Sequence, residues 1–423
     1  MAPVTTPIQS RAAEAAPADV RETHYRRNLF LLTTVETGWG FGMAFGFSAS
    51  FIQLVLRQLG ASPWQVGLLA AQWGFATVPM LLAGYFTGHL RRKKAAVVWG
   101  HYVCVLPVAA LAAALWLVRS DAAKIWWVLA AEYAFGLSVG LLVPVWLTFM
   151  GKVMPAKKMG TGFGVTFFFQ TIAAAAAGHV ASLILARHPD AVPQCVAVTA
   201  IVMAAANLAF LPVREPDTEG EPPAGRFVDY VRTLTGALRG DPAFRNFLVA
   251  EILFCAQYGV VGFYAARAAD FGGDARTGAQ FTVVVALAQA VSSLAGGFAV
   301  DRFGPKPVLV AGRLAIVAAA AFAWQAASVA ALLPAAICVG AFFGVRSSAG
   351  FAMFRAVAQR EEVTSLYGLF SVFVAPFAAG TPLLAGWLLG RGLSPATLFA
   401  VCGAAAAASI VVLAVGVKVR QPA

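Results

Sequence analysis

The sequence predicts an all-α integral membrane protein whose twelve transmembrane helices form two pseudo-symmetric six-helix bundles. Three observations support this fold class. The 423 residues are 60% hydrophobic and only 12% charged, a composition that ordinary soluble domains do not have. Twelve apolar stretches lie between Leu29 and Val417, and each approaches the length of about 20 residues that a spanning helix needs. A charged segment that contains prolines separates the first six stretches from the last six.

The chain begins with a tail, residues 1–25, that is rich in Ala and Pro and has no long apolar run. We therefore expect a cytoplasmic tail here rather than a cleaved signal peptide, and a second short cytoplasmic tail at 418–423. The apolar stretches between the tails predict spans at 29–56, 63–88, 95–118, 124–150, 160–186, 193–212, 246–268, 278–300, 307–326, 331–354, 365–389 and 395–417.

Lys and Arg are distributed unequally between the two sets of predicted loops. With the N-terminus placed inside, 22 of them fall on the cytoplasmic side and 7 on the opposite side. Cytoplasmic loops of membrane proteins carry the excess of positive charge. The distribution therefore predicts that both termini are cytoplasmic. Arg313 and Arg346 belong to neither set because both lie inside predicted spans.

Residues 213–244 divide the chain into a first bundle, 26–212, and a second bundle, 245–417. The first part of this segment is rich in charge and proline and predicts a cytoplasmic linker, while 227–239 predicts a short helix along the membrane surface. The two bundles also repeat each other. Two glycines and an aromatic-glycine pair recur at a single offset of 204 residues: Gly136, Gly140 and Phe163-Gly164 in the first bundle, and Gly340, Gly344 and Tyr367-Gly368 in the second.

The loop GGFAVDRFGPK, residues 296–306, joins the eighth and ninth predicted spans. A glycine is followed after three residues by Asp-Arg, then by a second glycine and a basic residue. This pattern resembles the loop signature of the major facilitator superfamily, which implies a twelve-helix secondary transporter with two rocking halves around a central site. The resemblance implies that Asp301 is an ionic latch that forms in one access state and breaks in the other. It assigns Arg302 and Lys306 as the charged neighbours of the latch, and Gly297 and Gly304 as its packing and turn positions.

The matching loop of the first bundle departs from this signature. In GYFTGHLRRKK, residues 84–94, Gly88 and His89 stand where Asp-Arg would be. The fifth span also lacks the Gly-Pro pattern that is associated with antiporters, and the eleventh span has only a partial echo of it. Both departures count against a drug/proton antiporter.

Four of the ionisable residues inside predicted spans stand out: Glu36, Glu132, Glu251 and Arg346. A charged side chain inside a membrane costs about 2.5–3.5 kcal/mol on insertion scales and is a functional candidate by default. The family resemblance places their four spans around a central cavity. We therefore expect Arg346 to pair with Glu251 or Glu36, and one carboxylate to exchange protons as the halves rock. An interfacial position for Glu36 is the alternative.

Further polar and aromatic side chains within the spans are candidates to line the cavity, although helix packing and interface anchoring are competing roles for each of them. The small number of charges and the many aromatics favour an amphipathic or hydrophobic organic cargo. The candidates are Trp39, Gln53, Gln72, Trp73, Gln170, Gln257, Tyr258 and Gln289.

Other classes of function find little support in the sequence. The five cysteines lie singly in apolar runs and the five histidines are dispersed, so we expect no metal and no cofactor. The net charge of +12 is scattered over loops, which does not indicate nucleic acid, and no nucleophile and base pair suggests an enzyme. We expect a monomeric secondary transporter of a small organic molecule in a bacterial-type cytoplasmic membrane, coupled to protons, with an uncoupled facilitator or a non-transporting sensor or assembly protein as alternatives. Neither the cargo nor the direction of transport follows from the sequence.

Overall fold

The computed structural model describes residues 20–47, 49–62, 65, 68–69, 72, 75–77, 79–220, 225–264, 266–272, 275–358 and 363–418. These residues are almost all helical, and none of them forms a strand. The helices before the central linker are α1 Val20–Gly46, α2 Ala49–Gln58, α3 Met80–Thr87, α4 Lys94–Leu117, α5 Asp121–Val153, α6 Met159–Arg187 and α7 Val192–Asn207.

The linker contains one helix, α8 Phe227–Gly240, where the sequence predicts a surface helix over 227–239. The helices that follow are α9 Pro242–Phe254, α10 Gln257–Phe263, α11 Ala275–Phe303, α12 Pro305–Gln325, α13 Leu333–Ala358, α14 Thr364–Gly390 and α15 Pro395–Val411, which continues into a π-helical turn, Val412–Gly416.

Helix starts follow local sequence signals. Asp241 accepts hydrogen bonds from the backbone N–H groups of Ala243 and Phe244 at 2.9 and 3.0 Å, and Pro242 occupies the first turn of α9. Ser394 caps α15 in the same way, again next to a proline. An acceptor side chain satisfies amides that have no partner within the helix, and proline tolerates the first turn because its missing N–H is not needed there.

Ten helical segments of the described residues are long and apolar enough to cross a membrane, so the chain is an all-α, multi-pass membrane protein. Helix α1 is not among the ten, because glycines, threonines and Glu36 lower its mean hydropathy. The second predicted span is described only in part, with the eight-residue α3 as its longest helix.

Two predicted spans are not the continuous helices that the sequence suggested. Within span 29–56, α1 ends at Gly46 and α2 begins at Ala49, and span 246–268 is divided at Cys255 and Ala256 into α9 and α10. At the second break, the amides of Ala256 and Tyr258 bond to carbonyls three residues back, at 3.3 and 3.0 Å. This tighter winding ends α9 one turn after Glu251.

Glycines allow two helix pairs to approach at corresponding places in the two halves. A Cβ atom added to Gly140 of α5 would lie 1.9 Å from the carbonyl oxygen of Ala76, in the second predicted span. A Cβ atom on Gly344 of α13 would lie 2.4 Å from the carbonyl oxygen of Gln289 in α11. Small residues at such contacts let helix backbones pack closely. The offset of 204 residues between these glycines therefore reflects repeated backbone packing.

Among the described residues, the hydrophobic core is shared between the halves at one end and divided at the other. We call the end that carries the 296–306 loop the latch end, and the opposite end the far end. One cluster of buried residues at the latch end takes members from both halves, and the rings of Phe163 and Phe351 meet across it at 5.8 Å. At the far end the buried residues form two separate clusters, one between residues 45 and 203 and the other between 254 and 406.

The glycine contacts make a testable prediction about stability. Gly344→Ala should lower the free energy of unfolding by about 1–3 kcal/mol, because the new methyl group meets the α11 backbone, which cannot move without disturbing its own packing. Gly380→Ala is the matched control, since nothing lies within 4 Å of a Cβ atom at that position of α14, and it should be neutral or stabilising by up to about 1 kcal/mol. Thermal unfolding of both purified variants checks this. Equal midpoints would contradict the packing assignment.

Candidate functional site

Asp301 joins the two halves at the latch end. One carboxylate oxygen accepts the backbone N–H of Gly160 at 2.7 Å, and the other accepts that of Thr161 at 2.8 Å. These amides lie in the first turn of α6, where the helix dipole is positive and the amides have no partner within the helix. Asp301, at the end of α11, therefore caps a helix of the other half with both of its oxygens.

Three glycines bring Asp301 within reach of α6. A Cβ atom on Gly297 would lie 2.5 Å from the carbonyl oxygen of Gly160 and 3.0 Å from the Cα atom of Gly164. Cβ atoms on Gly160 and Gly164 would likewise meet backbone atoms of α11 at 2.5 Å. Helices α6 and α11 therefore touch backbone to backbone. Gly304 follows with φ +82°, a conformation that glycine adopts without strain, and turns the chain into α12.

The two basic residues of the 296–306 loop, Arg302 and Lys306, contact groups other than Asp301. The Lys306 ammonium group donates to the carbonyl oxygens of Ala414 and Val417 at 2.7 and 2.8 Å, where a cation suits the last turn of the chain's final helix. The Arg302 guanidinium lies 5.5 Å from the ring centroid of its neighbour Phe303. Asp301 itself accepts backbone amides, and the role of Arg302 and Lys306 as charged neighbours of the latch stays a prediction.

The related contact of the first half is built with the central linker. Gly84 packs against Ser365 of α14, with a Cβ-to-Cα distance of 2.4 Å, as Gly297 packs against α6. No Asp stands here in the sequence, and Gly220 of the linker instead packs on the backbone of His89. The Tyr230 hydroxyl of α8 donates to the carbonyl of Leu81 at 3.3 Å. The linker therefore supports this side of the seam between the halves.

The basic run of the 84–94 loop holds the acidic start of the linker. Glu215 accepts the backbone N–H groups of Lys93 and Lys94 at 2.7 and 2.9 Å, and Arg91 pairs with Asp217 at 3.0 Å. The first loop thus keeps its positive charge but uses it to bind the linker.

Other contacts close the same end. The hydroxyls of Thr148 and Thr364 lie 2.8 Å apart between α5 and α14. Arg355 of α13 donates to the carbonyl of Gly151, near the end of α5, at 2.7 Å. With Asp301, these bonds connect the halves at several points around the latch end.

A buried cluster of charge lies where α9 ends. Glu251 is 6% exposed and has a guanidinium group at each carboxylate oxygen. The fully buried Arg313 donates to one oxygen, and Arg346 of α13 donates to the other at 3.3 Å. The structure thus places Arg346 beside Glu251, the first of the two partners that the sequence analysis considered.

Arg313 is the residue of this cluster that the sequence analysis did not include among the site candidates. It also donates to the carbonyls of Ala250 and Ser409 at 3.1 and 3.4 Å, and its guanidinium carbon lies 4.6 Å from the centroid of the Phe254 ring. An arginine inside a predicted span was the available signal, but its helix does not carry one of the four spans that the family resemblance places around the cavity.

The two other carboxylates each pair with a glutamine of the first half. Glu36 of α1 accepts from Gln170 of α6 at 3.0 Å, and Glu132 of α5 accepts from Gln72 at 2.9 Å. Both carboxylates are buried, with 7% and 3% exposed. Neither forms an ion pair within the described residues. The four predicted charges therefore occupy three separate places.

The predicted cavity-lining residues have different surroundings. Trp39 packs inside the first half, since its indole donates to Asn207 at 2.7 Å and its ring meets His101 edge-on at 4.9 Å, and its contact with the cavity stays a prediction. Gln72 and Gln170 are partners of the buried carboxylates. Tyr258 is 36% exposed and lies near Arg346, Gln257 is buried and Gln289 half-buried. Trp73 and the side chain of Gln53 lie outside the described residues.

Comparison with known proteins identifies the family. The profile of the Major Facilitator Superfamily matches residues 1–178 and 251–423. The chain belongs to the major facilitator superfamily. A comparison with curated proteins gave no match.

Solved structures of superfamily members share this fold. The transporter FucP in the outward conformation is 15% identical, with a TM-score of 0.71 over 92% of this chain and 98% of that one. A variant of the E. coli fucose:proton symporter FucP is 16% identical, with a TM-score of 0.72 over the same shares. The human organic anion transporter MFSD10 is 14% identical, with a TM-score of 0.71 over 92% of this chain and 99% of that one. Superfamily membership indicates a membrane transporter rather than an enzyme.

The latch geometry predicts that Asp301→Asn loosens the seam between the halves. An amide lacks the charge that strengthens both hydrogen bonds, and bonds to charged groups contribute about 1.5–3 kcal/mol, which corresponds to about tenfold or more in an equilibrium. The measurement uses a variant in which cysteine replaces Thr148, which is 1% exposed at the seam, and no other cysteine is present. Maleimide should label this cysteine about tenfold faster when Asp301→Asn is added than when Asp301 is kept.

Arg302→Gln is the matched control for this experiment, since Arg302 lies next to Asp301 in the same loop and, within the described residues, contacts its neighbour Phe303 and no group across the seam. It should label at the unchanged rate. Equal labelling of the Asp301→Asn variant and the control would contradict a latch at Asp301.

Proposed function

We propose that this superfamily member is a proton-coupled secondary active transporter that moves a small organic molecule by alternating access. The observation that carries the proposal is the arrangement of the core, which is shared at the latch end and divided in two at the far end. Two halves whose described residues share a core at one end can exchange that contact for one at the other end. Such rocking is how transporters built from repeats expose a central site.

We place the protein in a bacterial-type cytoplasmic membrane as a monomer with twelve spans, with 26–212 and 245–417 as its halves and both termini inside. The latch end is then the cytoplasmic end. The excess of Lys and Arg in the loops of that end supports this orientation. In the described arrangement the site would be closed to the cytoplasm and open to the opposite side.

We assign the coupling proton to Glu36. Glu251 lies between two guanidinium groups, and protonating it would leave both cations without their partner. Glu36 has no cationic partner among the residues that the structure describes, and an isolated ionised carboxylate in an apolar site is costly. Its partner is the amide of Gln170, which can donate to a carboxylate or accept from a carboxylic acid. The pair can therefore tolerate both protonation states.

Helix α6 links this proton site to the latch. Gln170 lies on α6, and a Cβ atom on Gly40 of α1 would meet the Gln170 carbonyl at 2.4 Å, so α1 and α6 pack tightly around Glu36. The first turn of the same helix supplies the two amides that bind Asp301. Because a helix moves as a rigid rod, a change at Glu36 would be transmitted to the latch through α6.

Experiments can distinguish two alternative functions from this one. An uncoupled facilitator would move its cargo equally well after the proton gradient has been collapsed, and a sensor or assembly protein would bind a ligand without moving it. The buried charges at Glu36 and Glu251 favour a transporter, since burying charge costs free energy that a static scaffold does not need to spend. The cap at Asp301 favours it because its two hydrogen bonds across the seam can form and break.

Glu36→Gln should uncouple transport from protons without abolishing exchange. The test compound is one that raises the unfolding temperature of the purified protein, and transport is measured in proteoliposomes. With an imposed proton gradient, Glu36→Gln should lose accumulation above equilibrium because glutamine cannot exchange a proton, while exchange of labelled for unlabelled compound continues.

The matched control is Glu132→Gln. Glu132 is also a buried carboxylate that pairs with a glutamine, Gln72, and Gln72 packs against Gly136 within the first half. It should accumulate the compound as the native protein does. Proton-driven accumulation that persists in Glu36→Gln would contradict this assignment. Native protein that only equilibrates the compound, equally fast with and without the gradient, would favour the facilitator.

A further inference from the structure

The cluster around Glu251 carries more positive than negative charge. Two guanidinium groups face a single carboxylate, and within the described residues no other Asp or Glu pairs with either arginine. Arg313 is fully buried and is held by Glu251 and two backbone carbonyls. The cation that is not fully matched is therefore Arg346, whose one hydrogen bond among the described residues goes to Glu251.

Arg346 lies on an inward-facing side of α13 but is still accessible. Phe342, Ala349 and Met353 are spaced by one or two helical turns from it and therefore share its face, and all three are fully buried. The ring of Phe342 packs against Phe254 of α9 at 5.3 Å. The Arg346 side chain is nevertheless 38% exposed. Its exposure thus indicates a space inside the bundle rather than the lipid side.

Tyrosines border the accessible guanidinium. Tyr258 of α10 and Tyr367 of α14 both lie close enough to interact electrostatically with Arg346. The ring of Tyr367 in turn meets those of Phe351 and Phe354, with ring centroids 6.2 and 5.0 Å apart. The space therefore offers one cation, two phenol groups and a cluster of aromatic rings.

The geometry points to Arg346 as the binding residue for the carboxylate of an organic monoanion with an apolar or aromatic body. A guanidinium presents paired donors that match a carboxylate, and an anion there would neutralise the excess charge of the cluster. The hydroxyls of Tyr258 and Tyr367 are placed to add polar contacts while their rings cover the body of the ligand. This inference rests on the proposed function and specifies the cargo as a monocarboxylate.

The test measures thermal unfolding of the purified full-length protein with three classes of probe of similar shape. Benzoate, phenylacetate and hexanoate are monoanions, benzamide is neutral and benzylamine is a cation, each at matched ionic strength. At least one monocarboxylate should raise the unfolding temperature in a saturable way, and benzamide and benzylamine should not. In Arg346→Gln, the monocarboxylate concentration that gives half of the rise in unfolding temperature should increase at least tenfold. Arg346→Lys should have a value between those of the native protein and Arg346→Gln.

Arg346→Gln leaves the Arg313–Glu251 pair in place, so the variant should fold, and its unfolding temperature without ligand verifies this. Arg302→Gln, which removes an exposed arginine, is the matched control and should bind like the native protein. No effect of any monocarboxylate on the native protein, or an equal effect in Arg346→Gln, would overturn the assignment.

Flux of the same probes into proteoliposomes separates this inference from the proposed function. Carboxylate binding that depends on Arg346 without any flux would support the anion site and contradict transport. Proton-driven flux of a neutral compound that persists in Arg346→Gln, with no binding of carboxylates, would support transport and contradict the anion site.

Discussion

The bond between Asp301 and the first turn of α6 is the interaction on which the arrangement of the halves depends. A carboxylate that accepts two backbone amides at 2.7 and 2.8 Å is strong because it combines charge with unsatisfied helix amides. It is also reversible, because water can replace both partners at the end of the bundle. Glycine contacts let α6 and α11 lie close enough for Asp301 to reach the α6 amides, so the latch requires backbone packing as well as charge.

The second constraint is the cost of charge in an apolar interior. Arg313 is buried because it has Glu251, two carbonyls and an aromatic ring as partners, and the end of α9 supplies one of those carbonyls. In the described part of the chain, Glu36 and Glu132 each accept from a glutamine amide and form no ion pair, and Arg346 shares Glu251 with Arg313. These different degrees of compensation separate structural charges from those that can take part in transport.

Much of the fold could be predicted from apolar length and charge distribution, because lipid requires long helices with internally bonded backbones. The glycine repeat was visible for the same reason, since close packing needs small residues at fixed spacing. The ends of α1 and α9 could not be predicted, because no proline marks either position in the sequence. The partners of Lys306, Trp39 and Arg313 were likewise missed, because the sequence does not reveal which helices adjoin.

The measurement that tests rocking most directly is a pair of spin-label distances, one between the halves at each end. Labels at Lys157 and Arg245 report the latch end, and labels at Arg119 and Ala327 report the far end; all four residues are exposed. If the halves rock, Asp301→Asn should lengthen the distance between the labels at the latch end and shorten the distance between those at the far end. Two distances that do not change, or that lengthen together, would contradict rocking about a central site.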